Sequence, residues 1–294
     1  MSENRHLKIV RVHEQGRDIR SFDLLPEDAA GSHGVAFIPG QVAVLRVGEE
    51  PPAYFAFAGA PEDRELAILV KRTIGASVAL FEMKAGDQIE LIDVAGHGFD
   101  LDRLHHRDLV LVAMGTGVAP LRSALRHVLQ RKDEFGKLVV LYGARTPDDF
   151  CYRDETDAWE DAGVELRQVI SRPGDHDWSG PTGYVQSLLD HVLPDLDSPV
   201  ALVCGSREMI AQTRGRLEQM GFPAEAILTN YQREHGTYVS HGTHETYTSH
   251  HPPRNHIGDY QFVAPNPCFC LHNLQNVGGS KLSIWCFTGF TVFR

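Results

Sequence analysis

Residues Asp108 to Arg131 constrain this chain more than any other stretch. Leu109–Met114 reads as a buried strand, Gly115-Thr-Gly-Val-Ala-Pro120 as a tight turn, and Leu121 to Arg131 as a helix that starts at once. Phosphate binding needs that order. Glycine lets the backbone turn sharply and approach a diphosphate, while the new helix aims unpaired N–H groups and a positive dipole end at it. One such turn is a weak signal, because many strand–helix connections share it. A second segment, Pro199-Val-Ala-Leu-Val-Cys-Gly-Ser-Arg-Glu-Met209, repeats the grammar. The pair predicts a nucleotide-binding α/β domain.

The surrounding rhythm agrees. Runs at 108–114, 137–143, 164–170, 199–204 and 226–230 read as strands, alternating with helices near 118–131, 148–161, 183–192 and 206–220. Alternation of this kind predicts a parallel sheet with helices on both faces and ligands at the carboxyl ends of its strands. Residues 1 to about 100 differ. His6–Val12, Ile19–Leu25, Gln41–Val47, Tyr54–Gly59, Leu66–Lys71 and Gln88–Val94 are short β-branched or alternating runs between Gly, Pro and Asp breaks. With one helical patch at Ser77–Met83, they predict a small antiparallel β-barrel. The expected organisation is a barrel domain at 1–103, an α/β parallel-sheet domain at 104–231, and an irregular, poorly ordered tail at 232–294.

Composition narrows the function. A net charge of −11 repels phosphate backbones, which argues against nucleic acid as a partner. It leaves room for one local arginine to hold one phosphate. No apolar run approaches the roughly 20 residues that cross a bilayer, so no membrane span is expected. The opening Met1-Ser-Glu-Asn-Arg-His6 resembles neither a signal nor a transit peptide, and a cytoplasmic location is the expectation. Five cysteines fit no disulfide framework. His241, His244, His250 and His251 with Cys268, Cys270 and Cys286 lack metal-site spacing, so no metal is expected.

The motifs Gly115–Pro120, Tyr142-Gly-Ala-Arg145, Ser171-Arg-Pro173, Gly183-Tyr-Val-Gln186 and Cys204-Gly205 occur in an order that resembles the ferredoxin–NADP reductase family over residues 5–231. That group joins a FAD-binding barrel to a pyridine-nucleotide domain and includes oxygenase reductases and hydrogenase diaphorase subunits. The resemblance implies that Gly115, Thr116, Gly117 and Pro120 lie over the nicotinamide dinucleotide diphosphate. It implies that Cys204 and Gly205 flank the nicotinamide, where hydride passes to flavin, the thiol being small enough not to block the ring. A buried cysteine acting as a small hydrophobe is the competing reading. Ser171, Arg172 and Tyr184 resemble the residues that NADP-preferring relatives set around the 2′-phosphate and adenine. NADP leads NAD as hydride donor on that ground.

On the flavin side the family motif is Arg-x-aromatic-Ser/Thr. The matching text is Ala53-Tyr54-Phe55-Ala56: Phe55 stands for the stacking ring, Ala53 for the arginine, and Ala56 for the hydroxyl at flavin N5. Losing a charge-assisted phosphate contact costs about 1.5–3 kcal/mol. The segment Lys71-Arg-Thr-Ile-Gly75-Ala76-Ser77 offers a second phosphate-binding element at the start of a helix, with a plain helix cap as the alternative role for Ser77. Gly96-His-Gly-Phe99 resembles the turn that closes the barrel. The implied function is an NAD(P)H-dependent FAD oxidoreductase passing electrons to a small-molecule or protein acceptor. A flavin-poor docking subunit and a reductase of free flavin remain the rivals. Three tail cysteines fall short of the four ligands of a built-in iron–sulfur cluster.

Overall fold

The computed structural model describes residues 5–27, 34–174 and 177–230, all within one compact unit. Strands β1 (Arg5–Gly16) and β2 (Ile19–Pro26) form a hairpin whose turn holds Asp18 at φ 56°. Strands β3 (Val42–Arg46), β4 (Ala53–Ala56), β5 (Leu66–Lys71) and β6 (Gln88–Ala95) complete an antiparallel sheet in the order β4-β3-β6-β1-β2-β5. A bridge from Phe57 to Ile68 joins the chain just past β4 to β5, giving a barrel-like closure.

Alternation explains the interior. Leu7, Ile9, Phe22, Leu24 and Leu45 are fully buried in one cluster with Leu80 of helix α1 (Ala76–Phe81). Phe37 stacks on Phe57 with ring centroids 4.0 Å apart. Strand β1 runs four residues beyond the apolar segment that announces it, because His13 and Glu14 continue the ladder opposite Ser21 and Arg20.

A 3-10 turn at Leu101–Leu104 leads into the second sheet. Strands β7 (Leu109–Met114), β8 (Leu138–Ala144), β9 (Val164–Ile170), β10 (Val200–Cys204) and β11 (Ile227–Thr229) are all parallel, in the order β11-β10-β7-β8-β9. Helices α2 (Val118–Leu129) and α3 (Thr156–Asp161) pack with Leu109, Leu111 and Ala113 on one side. Helices α4 (Leu189–Val192) and α5 (Arg207–Gln219) pack with Val110 and Val112 on the other. The two-domain architecture is thus a barrel-like antiparallel sheet followed by a parallel α/β layer structure.

Two expected helices are broken. Instead of one helix over 148–161, 3-10 turns at Pro147–Asp149 and Arg153–Glu155 precede α3. Thr146 and Asp149 cap each other in the first turn. Phe150, Cys151 and Tyr152 then turn into the core, with Tyr152 in the left-handed region at φ 57°, which interrupts helical winding. Over 183–192 a 3-10 turn at Val185–Leu188 takes the place of the first helical residues.

The lobes share core. Ile19, Ala58, Ala67 and Leu69 on the barrel side belong to the same hydrophobic cluster as Leu121, Leu125 and Tyr142. Fully burying side chains the size of Ile19 or Leu69 is worth about 1.5–3 kcal/mol each.

Candidate active site

At the carboxyl end of β7, Gly115–Gly117 forms a 3-10 turn that feeds directly into the twelve-residue helix α2. Gly115 sits at φ 55°, a conformation L side chains rarely adopt. Gly117 has an ordinary φ but no room: a β-carbon there would lie 2.6 Å from the Cys204 carbonyl carbon and 2.8 Å from the Gly205 Cα. The turn and the end of β10 are therefore in main-chain contact. Gly115, Thr116 and Gly117 remain half-exposed, whereas Pro120 is buried in the first turn of α2. There its missing N–H costs nothing, since first-turn donors lack intrahelical partners.

Hydrogen bonds hold the turn from behind. The Tyr142 hydroxyl donates to the Gly115 carbonyl at 3.2 Å and accepts from the Cys151 N–H at 3.1 Å. Burial pushes the Tyr142 phenol well above its usual range, so it stays a donor. Cys204 is buried, and its thiol donates to the Asn230 side-chain oxygen at 3.3 Å. Burial raises that thiol to about 12, which removes thiolate chemistry at neutral pH. Gly205 packs against Met114 and Met209.

Further along the carboxyl edge, β8 and β9 end side by side. The Ser171 N–H donates to the Ala144 carbonyl at 3.0 Å, and the Arg172 N–H to the Arg145 carbonyl at 2.8 Å. The Gly183 N–H donates to the Ile170 carbonyl at 2.8 Å, while Gly143 lets Val185 approach, its β-carbon position lying 2.9 Å from the Val185 Cβ. Ser171, Arg172 and Tyr184 are thereby brought together, with Tyr184 68% exposed. Arg145 joins them. It and Arg172 are both exposed, and neither guanidinium has an acidic partner among the described residues. A cavity of about 660 Å³ opens beside Tyr184 between Gly183, Gln186, Gln212 and Arg216.

A sequence profile of the oxidoreductase NAD-binding domain matches residues 111–215. The chain is 30% identical over 210 residues to Fruit protein pKIWI502 of Actinidia deliciosa; the alignment covers 65% of this chain and 65% of that protein's length. It is 31% identical over 196 residues to ferredoxin–NADP reductase B of Sorangium cellulosum, covering 63% of this chain and 80% of that one. The chain belongs to the ferredoxin–NADP reductase family. It is an oxidoreductase of that type, from a family whose cofactors are FAD and a pyridine nucleotide. Its fold matches a ferredoxin NADP+ reductase from Neisseria gonorrhoeae, solved with bound FAD and NADP, at a TM-score of 0.66 and 21% identity. That match covers 78% of this chain and 98% of the other.

On the flavin side this family member departs from the pattern. Phe55 is not an open stacking wall: it is buried in the barrel core, opposite Ala43 on β3. It shares strand parity with Phe57, so both rings point inward. The exposed ring is Tyr54, and Ala53 and Ala56 are half-buried. Ser77 is neither a helix cap nor a free donor. The cap position is Gly75, and the buried Ser77 hydroxyl donates to the Ile74 carbonyl at 2.8 Å while accepting from the Thr73 N–H at 3.0 Å. Ala76 is buried too, and the Glu50 carboxylate lies beside exposed Gly75, 3.3 Å from where its β-carbon would stand. A carboxylate there opposes a phosphate.

Two features favour a flavin between the lobes. Ala56 packs against the cluster that contains Val118 and Cys204, and β5 touches the Gly115–Gly117 turn. Lys71 at the end of β5 is exposed. The residues present fit a flavin facing the Gly115–Gly117 turn and do not reproduce the family's grip on its diphosphate. Gly40 and Gly98, both at positive φ, bring Phe99 and the Gly96–Phe99 turn against Pro39, where Gln41 bonds the Gly96 carbonyl at 2.8 Å.

Among the described residues no three His, Cys, Asp or Glu side chains gather as a metal site, and no helix is long and apolar enough to cross a membrane. The tail histidines and cysteines lie outside the described residues. Arg145, Tyr142 and Asn230 have roles in the site that sequence reasoning did not assign. Tyr142 and Arg145 carried a signal, as the first and last residues of one motif at a strand's carboxyl edge; Asn230 carried none.

Proposed function

We propose that this chain is an NADPH-dependent flavin oxidoreductase that delivers electrons to a small-molecule or protein acceptor. The observation that carries this is the main-chain contact between the Gly115–Gly117 turn and Cys204–Gly205, with β5 of the barrel against the same turn. The turn's N–H groups and the α2 dipole receive the dinucleotide diphosphate. Cys204, protonated and buried, backs the nicotinamide as an inert wall. Ser171, with Arg145 and Arg172, which pair with no acid among the described residues, holds the 2′-phosphate, and Tyr184 covers the adenine.

When bound, FAD accepts a hydride from the nicotinamide and releases electrons singly or in pairs. Tyr54, Ala56 and Lys71 would hold it. With Ala at positions 53 and 56, and the Ser77 hydroxyl committed inward, the chain binds flavin weakly, and FAD exchanges with solution. The acidic chain favours a basic docking face or a neutral small acceptor. An absorbance spectrum of the purified protein tests this. FAD content below one per chain, restored by added FAD, with NADPH oxidised faster than NADH, is expected. No oxidation of either nucleotide with FAD supplied in excess would overturn the proposal.

A further inference from the structure

We infer that Arg122 is the positioning residue that sets the barrel's flavin-side segment against the dinucleotide turn. The inference rests on the function proposed above. Arg122 lies one helical turn into α2, directly after Gly115–Pro120, and is 9% exposed. Its guanidinium is used on three sides. Nε donates to Glu155 Oε2 at 2.8 Å and Nη2 to Glu155 Oε1 at 2.5 Å, a bidentate pair. Nη1 reaches across the lobes to the Ala58 carbonyl at 2.6 Å. The Tyr152 ring lies against its face, 4.3 Å from Cζ.

Each partner is itself fixed. Ala58 follows the Ala53–Ala56 strand by two residues, and its N–H donates to the Ala67 carbonyl of β5 at 2.7 Å. Arg122 therefore grips the peptide that connects β4 to the strand touching the dinucleotide turn. Tyr152 holds a left-handed backbone at φ 57°, and its N–H donates to Gln15 Oε1 on β1 at 2.7 Å. Its buried hydroxyl has no hydrogen-bond partner among the described residues. Strain and an unsatisfied hydroxyl are tolerated here, and what they secure is a ring over the guanidinium.

Docking alone does not need this arrangement. One turn further out, Arg126 makes a bidentate pair with Asp63, both bonds 3.0 Å, and His127 meets Glu62 at 2.7 Å. Those contacts and the shared hydrophobic cluster hold α2 to the barrel. A buried ion pair is weak as a source of stability and better suited to fixing register. A planar fork with set bond directions fixes Glu155 and Ala58 in one plane, which neither lysine nor an apolar side chain reproduces. Arg122 acts through Ala58 and α2.

The test compares FAD-loaded wild type with Arg122→Met, Arg122→Lys and Glu155→Gln, using Asp63→Ala as the control latch. Three quantities are read: the limiting rate of anaerobic flavin bleaching at saturating NADPH, the Kd for NADP+, and the melting temperature. Both Arg122 variants are expected to lower the limiting rate about 30- to 100-fold, with the Kd changed less than about threefold. Glu155→Gln, which folds with the arginine retained, is expected to fall between them and wild type. Asp63→Ala should lower the melting temperature and leave the limiting rate alone. Rates that follow melting temperature alike in all four variants, or an unchanged rate in Arg122→Lys and Glu155→Gln, would overturn the positioning role. A wild-type protein that NADPH does not reduce would overturn the proposed function instead, and this role with it.

Discussion

Replacing Gly117 by alanine isolates the contact on which the proposed nucleotide site depends. Gly117 has φ −62° and ψ −8°, so alanine fits the backbone, but it is the N-cap of α2, where alanine gains no helix-interior propensity. Space is the obstacle. The new β-carbon would stand 2.6 Å from the Cys204 carbonyl carbon and 2.8 Å from the Gly205 Cα, where ordinary contact is 3.4–4 Å. Both atoms are main chain, so no side chain can swing away. Relief requires the turn and the end of β10 to part by roughly 1 Å. Overpacking of this kind costs about 1–3 kcal/mol. At about 2–4 °C per kcal/mol, the melting temperature should drop by a few degrees. The larger effect is on chemistry, because a 1 Å misplacement is worth about 100-fold in rate. Stopped-flow bleaching of the FAD-loaded variant by saturating NADPH reads it. A wild-type rate together with an unchanged melting temperature would refute the reasoning.

Other perturbations probe separate parts of the structure. Arg145→Ala and Arg172→Ala should each raise the KM for NADPH at least about tenfold and leave that for NADH within about twofold, as expected for loss of one charged hydrogen bond; equal losses for both donors would remove the 2′-phosphate assignment. Burial raises the Cys151 thiol to about 11 and the Cys204 thiol to about 12, so peptide mapping after iodoacetamide at pH 8 should find both unmodified in the native protein and labelled in denaturant. Asp63 is depressed: burial would raise it, but Arg126 and the Ala60 N–H outweigh that. Its contribution to stability is complete above the unfolded value of about 3.9 and is lost as pH falls through the lower folded value. Asp63→Asn should therefore melt earlier than wild type at pH 7, with the gap closing below about pH 4; a gap independent of pH counts against the pair.

Much of the scaffold is legible in the residues because local signals agreed with the fold. Leu109–Met114 followed by Gly115 could hardly be anything but a buried strand meeting a turn, and the ends of β7 and β10 lie where the text changes from apolar to glycine. Four features escaped for physical reasons. The acid-rich stretch at 148–161 suits a helix, yet Phe150, Cys151 and Tyr152 are drawn into the core, and that competition is decided only by tertiary packing. Phe55 has the right side chain for stacking, but strand parity with Phe57 turns it into the barrel. Arg122 bonds the Ala58 carbonyl, and a main-chain acceptor leaves no trace in residue identity. Arg145 meets Arg172 because parallel pairing sets Ala144 beside Ile170, a register no single segment encodes.

The proposed function, with β5 touching the Gly115–Gly117 turn, requires hydride transfer straight from nicotinamide C4 to the flavin. Anaerobic mixing of the FAD-loaded protein with NADPH deuterated on one or the other face of C4 measures this. Bleaching that slows for one isomer and not for the other is the predicted result. Bleaching indifferent to both labels, or absent while a chemical reductant still bleaches the flavin, would contradict it.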